Sequence, residues 1–321
     1  MFAAVLHAPG ESPRYEEFAE PAAAEGETIL QVRAAALKPV DRQMASGSHY
    51  ASFREFPVVC GLDGVGTFDD GTRVFFAGPR RPFGAMAERT VVHRARCWPV
   101  PENVDDVTAA ALVNPGMSAW LTLSQAARLA AGETVLVLGA TGTTGKLAVQ
   151  IAKLLGAGRV VAAGRDEQAL NSLRDLGADA TIRLQGPGDD LAEAFAGEAR
   201  VAAYDVIVDY LWGWPTEALL AALTRSDLNP ARSSRVRLIQ VGESAGASIT
   251  LPAAALRSSG LEIVGAGSGA VPPMEVLRET YHQLLLRAAS GQLRIDTERV
   301  PLAGIADIWP EPRRARLVIL P

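Results

Sequence analysis

One short segment restricts this sequence more than any other: Leu138-Gly139-Ala140-Thr141-Gly142-Thr143-Thr144-Gly145-Lys146. It lies between a Val/Leu-rich run, Thr134–Leu138, and a stretch with an apolar stripe, Gly145–Leu155. A strand must end, the chain must turn, and a helix must begin within these few residues. Glycine suits such a turn because it lacks a Cβ, so the backbone can bend sharply and approach a diphosphate closely. The N–H groups that open the following helix have no partner within it, and the helix dipole there favours negative charge. The spacing is GxxGxxG rather than GxGxxG. In a strand–turn–helix context it predicts a dinucleotide diphosphate held by Gly139, Thr141, Gly142, Thr143, Thr144 and Gly145. A nucleoside-triphosphatase loop does not fit, because Ala140 stands where its first glycine belongs and Leu147 follows Lys146. The plainer alternative is a tight strand–helix turn with no ligand. Three glycines in seven residues make that turn costly in conformational entropy.

Around this segment the pattern alternates between strand and helix. Leu147, Ile151, Leu154 and Leu155 share one helical face. Strands are expected at Val160–Ala163, Thr181–Leu184, Asp205–Asp209, Val236–Val241 and Leu261–Gly265. Between the first two, Asp166 reads as the cap of a helix over Glu167–Leu176 that Gly177 stops. Such alternation predicts a parallel sheet covered on both faces. The first third instead carries short strand-like runs: Phe2–Leu6, Thr28–Ala34, Gly64–Phe68, Arg73–Phe76 and Met86–Val92, with a short helix near Val40–Ser46. Asp105–Leu112 and Ser118–Ala127 have helical composition, Pro273–Ser290 reads as a helix, and Ala315–Leu320 as a last strand. The chain is therefore expected to be α/β. A doubly wound, Rossmann-type parallel sheet over residues 114–292 is inserted into a β-rich domain made of residues 1–113 and 293–321.

Composition narrows the function. The formal net charge is −5, from 31 basic and 36 acidic residues, which gives no reason to expect a nucleic-acid or acidic-membrane partner. Two cysteines, Cys60 and Cys97, cannot form a disulfide framework or a four-cysteine zinc site, and a reducing cytoplasm is the expected compartment. Met1–Tyr15 has no signal-peptide character, and no run approaches the roughly 18 apolar residues of a membrane span.

The second strand of the parallel sheet runs into Gly164-Arg165-Asp166. An NAD-specific fold places Asp or Glu at this strand end to bind the ribose 2′-hydroxyl. With Gly164 there instead, a 2′-phosphate meets no like charge, and Arg165 can pair with it, so NADPH is the expected cofactor. The alternative for Arg165 is a solvated surface side chain.

Five segments occur in one order: Ala36-Leu37-Lys38-Pro39-Val40-Asp41, Gly61-Leu62-Asp63-Gly64-Val65-Gly66, Pro115-Gly116-Met117-Ser118-Ala119-Trp120, the glycine turn, and the terminal Ala315–Pro321. In these, and in Gly47–Tyr50, the chain resembles the zinc-free quinone oxidoreductases of the medium-chain dehydrogenase/reductase superfamily, over essentially its whole length. The resemblance implies that the β-rich domain is GroES-like. It also implies that the positions of catalytic zinc ligands in metal-dependent members are taken by Lys38, Leu62 and Asn114, which do not make a zinc site. Lys38 departs from the family, where Asn is usual.

The resemblance places Lys38, Asp41, Tyr50, Asp63 and Asn114 on the catalytic side of a pocket between the domains. Ser118, Val241-Gly242 and Gly267-Ser268 would line the nicotinamide. Two readings of Lys38 stand: an ammonium that polarises a carbonyl and gives up a proton, or a salt bridge to Asp63 or Asp41 that only shapes the pocket. Tyr50 either contacts the acceptor or is an ordinary loop aromatic. Without metal, hydride passes to an acceptor that is already electrophilic, so a quinone or an α,β-unsaturated carbonyl is expected. An enoyl or alkenal reductase and a non-catalytic NADPH sensor are the rival functions. Gly242-Glu243-Ser244-Ala245-Gly246 has the GxSxG form of a hydrolase nucleophile, but no helix follows directly, which argues against a hydrolase. The strand Leu261–Gly265 is expected to be an edge that pairs across a two-fold axis in a homodimer.

Overall fold

The structure is a computed structural model describing residues 1–186, 189–224, 235–267, 269, 271–311 and 313–321. The chain divides into two units, Met1–Asn114 with Gln283–Pro321, and Pro115–His282.

The first unit begins with β1 (Phe2–Leu6), β2 (Arg14–Glu17) and β3 (Glu27–Ala36), then α1 (Pro39–Ser46). Five short strands follow: β4 (Val58–Val59), β5 (Asp63–Thr67), β6 (Arg73–Ala77), β7 (Arg89–His93) and β8 (Cys97–Pro99). Of the strand expected from Met86, β7 begins at Arg89, while Ala87 just before it forms an isolated antiparallel bridge to Ala3 of β1. Proline at the first helical position and a left-handed Gly47 (φ 81°) fix the two ends of α1.

The two helical segments expected on either side of Pro115 are one helix, α2 (Asp106–Leu121), which continues into a π-helical turn over Thr122–Ala126. Asp105 caps it, its Oδ1 accepting from the N–H groups of Val107 and Thr108 at 3.0 Å. A proline removes one helical hydrogen bond, which the largely buried run Ala109–Trp120 tolerates through tertiary packing.

The second unit is built on β9 (Thr134–Leu138), α3 (Thr143–Leu154), β10 (Arg159–Gly164), α4 (Glu167–Ser172) and β11 (Ala180–Arg183). It continues with α5 (Asp189–Val201), β12 (Val206–Asp209), α6 (Gly213–Leu223), β13 (Val236–Gln240), α7 (Ala253–Ser258) and β14 (Leu261–Gly265). Its six strands are parallel in the order β11-β10-β9-β12-β13-β14. The order reverses between β9 and β12, the kind of switch point at which such sheets take a ligand beyond the carboxyl ends of their strands. Every residue of β9 and β12 is buried, as a sheet covered on both faces requires. Helix α4 is shorter than its sequence pattern suggests: it ends at Ser172, and turns carry the chain to Gly177 (φ 106°).

After α8 (Met274–Ala289) the chain adds β15 (Thr297–Pro301), α9 (Ile305–Ile308) and β16 (Arg316–Leu320). β16 pairs with β3, so the last strand belongs to the first unit's seven-stranded sheet; β2, β1 and β4 form a separate three-stranded one. Among the described residues no helix is long and apolar enough to cross a membrane.

Candidate functional site

In the second unit, β9 delivers the chain to Gly139, which is left-handed at φ 84° and lies against Leu211; a Cβ there would sit 3.0 Å from Leu211 Cδ2. The N–H groups of Gly139 and Ala140 both donate to the Ala163 carbonyl at 2.9 Å, which ties the turn to the end of β10. Gly142 is the N-cap of α3, and no side chain caps that helix. The Lys146 N–H, donating to Gly142 O at 2.9 Å, closes the first helical turn. The N–H groups of Thr143, Thr144 and Gly145 therefore have no partner inside the helix. A Cβ on Gly145 would overlap Gly139 O and come within 2.6 Å of Ala140 Cα. No residue with a side chain fits there without opening the turn.

Gly164 ends β10 buried, and a Cβ on it would lie 2.9 Å from Thr141 Oγ1. Its lack of a side chain thus admits the glycine turn as well as leaving the strand end uncharged. Arg165 is exposed, and Asp166 accepts from the Ala169 N–H at 3.0 Å as the cap of α4. Arg183 lies opposite Gly164 in register and pairs with Glu167 at 2.7 Å. Nothing in the sequence signals that this second arginine stands beside the first.

A buried acid that the sequence does not single out organises the next strand end. Asp209 is fully buried at the end of β12, beside Leu138. Its Oδ1 accepts from the N–H groups of Leu211 (2.8 Å) and Trp212 (2.9 Å), and its Oδ2 from the Thr216 hydroxyl (2.6 Å). Burial pushes its carboxyl above the usual range in spite of those bonds. They hold Trp212 at φ 54°, a strained value for any residue but glycine. The N–H groups of Val241 and Gly242 donate to the Asp209 carbonyl at 2.8 and 3.1 Å. Ser244 Oγ donates to Tyr210 O at 3.0 Å, and the Ala245 N–H to Leu211 O at 2.7 Å. The GxSxG segment is thus a clamp on the turn after β12. Gly267 is exposed just beyond β14, Ser118 is half-buried on α2, and Ser268 lies outside the described residues.

In the first unit three predicted residues meet around one ammonium. Lys38 is 2% exposed, and its Nζ donates to Ala36 O and to Asp63 Oδ1, both at 3.0 Å, with Asp41 Oδ2 at 3.3 Å. Asp41 Oδ2 also accepts the Lys38 backbone N–H at 2.8 Å. Burial alone would lower the Lys38 pKa, but Asp41 and then Asp63 outweigh it and hold the ammonium above the ordinary lysine range. Arg316, also buried, donates to Leu37 O at 2.9 Å and lies in the field of both carboxylates. Tyr50 is exposed in the loop after α1, with its ring centroid 4.0 Å from that of His49, and Asn114 is exposed on α2. Burial raises the Cys60 thiol far out of the nucleophilic range and the Cys97 thiol to about 11.

No protein-family model matches the chain. Probable NADPH-dependent quinone reductase tdiC of Emericella nidulans is 27% identical over an alignment of 350 residues, 96% of each chain. The chloroplastic NADPH-dependent alkenal/one oxidoreductase of Arabidopsis thaliana is 31% identical, over 49% of this chain and 45% of its own length. Among solved structures, the quinone oxidoreductase of Thermus thermophilus, described alone and in complex with NADPH, has a TM-score of 0.80. It is 26% identical and is matched over 100% of both chains.

Proposed function

For a chain that belongs with the quinone oxidoreductases of the medium-chain dehydrogenase/reductase family, we propose an NADPH-dependent enzyme that passes hydride, without zinc, to a quinone or another activated carbonyl acceptor. The observation that carries this reading is the glycine turn, whose backbone is closed to side chains at Gly145 while the three helix-opening N–H groups have no partner within the helix and no side chain caps it. When bound, NADPH supplies the hydride from C4 of its nicotinamide. Gly139, Thr141, Gly142, Thr143, Thr144 and Gly145 hold the diphosphate, and Gly164 with Arg165 accept the 2′-phosphate. Ser118, Val241, Gly242, Gly267 and Ser268 line the nicotinamide.

The geometry favours the structural reading of Lys38. Its Nζ donates to Ala36 O and Asp63 Oδ1 and lies 3.3 Å from Asp41 Oδ2, and at 2% exposure it has no open side for a substrate oxygen. Lys38, Asp41 and Asp63 therefore brace the pocket wall, and Tyr50 and Asn114 are the acceptor contacts. The positions of Lys38, Leu62 and Asn114 together supply no zinc-binding set.

Titration with NADPH and NADH, followed by NADPH oxidation with 9,10-phenanthrenequinone, 1,4-benzoquinone and an enone, tests the proposal. Saturable, NADPH-selective binding with quinone turnover is expected, and one tightly held zinc per chain would contradict it. Turnover of the enone alone would favour a double-bond reductase, the reading that the Arabidopsis relative supports. Binding without turnover on any acceptor would favour a sensor. The sheet edge at β14, where Val264 is exposed, supports a homodimer, and sedimentation showing only monomer at micromolar concentration would refute it.

A further inference from the structure

Gly164 and Arg183 are register partners on the neighbouring parallel strands β10 and β11, and the Leu184 N–H donates to Gly164 O at 2.8 Å. Paired positions point to one face of a sheet, and the next pair along the strands points to the other. The preceding pair, Ala163 and Ile182, packs into the core shared with Leu191 and Phe195 of α5. Gly164 and Arg183 therefore belong to the opposite face. The glycine turn lies on that face, because a Cβ on Gly164 would come 2.9 Å from Thr141 Oγ1. Arg183 thus sends an exposed side chain from the strand beside Gly164, on the side that carries the turn. Its guanidinium meets Glu167 Oε2 at 2.7 Å, on the first residue of α4. The loop Gly164-Arg165-Asp166 leads directly into that residue, and Asp166, the nearer acid, is committed as the helix cap.

An exposed ion pair of this kind adds little to stability, so the fold has small need of it. We propose that Arg183 is a second cation for the 2′-phosphate of NADPH, and that Glu167 holds its guanidinium at this strand end until the phosphate takes the carboxylate's place. This rests on the cofactor reading above and deepens it. A phosphate monoester carries about −1.5 to −2 charges near neutral pH where Glu167 carries one, so the exchange favours the cofactor. Guanidinium groups from two adjacent strand ends, Arg165 and Arg183, can share the several oxygens of the phosphate.

Calorimetric titration of NADPH and NADH into the wild type, Arg183→Gln and Glu167→Gln tests this. Arg183→Gln should weaken NADPH about tenfold and leave NADH unchanged. Glu167→Gln should tighten NADPH about threefold, because the phosphate then has no carboxylate to displace, and should again leave NADH unchanged. Arg183→Gln with unaltered NADPH affinity, or with an equal loss for both cofactors, would overturn the proposal. So would Glu167→Gln that fails to tighten NADPH, since the carboxylate would then not contest the site. If the wild type binds neither cofactor, the cofactor reading falls and takes this inference with it. If the wild type selects NADPH and Arg183→Gln selects it equally well, only the inference falls.

Discussion

Around Lys38 in the first unit, and around Gly139–Gly145 in the second, polar groups are withdrawn from water in opposite ways. Lys38, Asp41, Asp63 and Arg316 are all buried, and their two positive and two negative charges face one another. The Lys38 ammonium donates to Ala36 O and Asp63 Oδ1 with Asp41 Oδ2 beside it, although Asp41 Oδ1 and Arg316 Nε have no hydrogen-bond partner among the described residues. At the glycine turn there is no side-chain charge, yet the three N–H groups that open α3 have no partner within the helix and no side chain caps it. A buried group that is satisfied internally is scaffold. A donor left open at the end of a sheet is kept for something that arrives later. By this contrast Lys38, the most conspicuous chemical group in the sequence, has the surroundings of a brace, and the chemically plain turn is the proposed binding site.

The contrast breaks first at Lys38. Lys38→Met leaves two buried carboxylates facing each other, and stability should fall by about 3–5 kcal/mol. Adding Asp63→Leu removes one of them and should restore much of that loss. Turnover of the folded double variant should stay within about threefold of wild type, whereas loss of a true proton donor costs about a hundredfold or more. Denaturant unfolding and steady-state rates on the same preparations measure both. Next in size is Gly145→Ala. Its methyl group would press on Ala140 Cα at 2.6 Å, and NADPH affinity should fall about a hundredfold, or about 2.7 kcal/mol. Gly197→Ala is the control: a Cβ there meets nothing within 4 Å in α5, so affinity should not change.

Most of the parallel sheet is legible in the sequence, because strands buried on both faces are written as continuous runs such as Thr134–Leu138. The glycine turn is legible for a related reason, since backbone contacts as close as that of Gly145 with Ala140 leave glycine no substitute. Elements held by distant partners are not. Strand β2, Arg14–Glu17, is mostly exposed and exists by pairing with β1, and β4 is two residues long. Helix α2 runs through a proline that reads locally as a break. In the site, Lys38, Asp41 and Asp63 can be named from the family pattern, but their mutual pairing needs coordinates. Asp209 gives no local signal at all. An acid at a strand end reads as a cap. Its meaning comes from β9, far away in the chain.

At the rim of the turn the expected effect is smaller. Arg165 is exposed, so its pairing with a 2′-phosphate is screened, and Arg165→Ser should weaken NADPH about tenfold while leaving NADH unchanged. Parallel titrations with the two cofactors read this directly. An equal loss for both would remove Arg165 from the selection between them, and Arg183 would be the next residue to change.

The smallest effect is the pH dependence of the brace. Burial lowers the Lys38 pKa and the two carboxylates raise it by more, so the folded value lies above the unfolded one of about 10.4. A raised folded-state pKa gives stability that is complete below the unfolded pKa and disappears as pH climbs through the folded value. The wild type should therefore lose more stability as pH climbs above about 10 than the Lys38→Met, Asp63→Leu variant, which has no ammonium to titrate at that place. Each kcal/mol so lost should lower the unfolding midpoint by about 2–4 °C. Parallel alkaline melting curves for the two proteins would mean that the lysine charge does not hold this wall together. The distinction between a self-satisfied scaffold and an open site would then have to rest on the second unit alone.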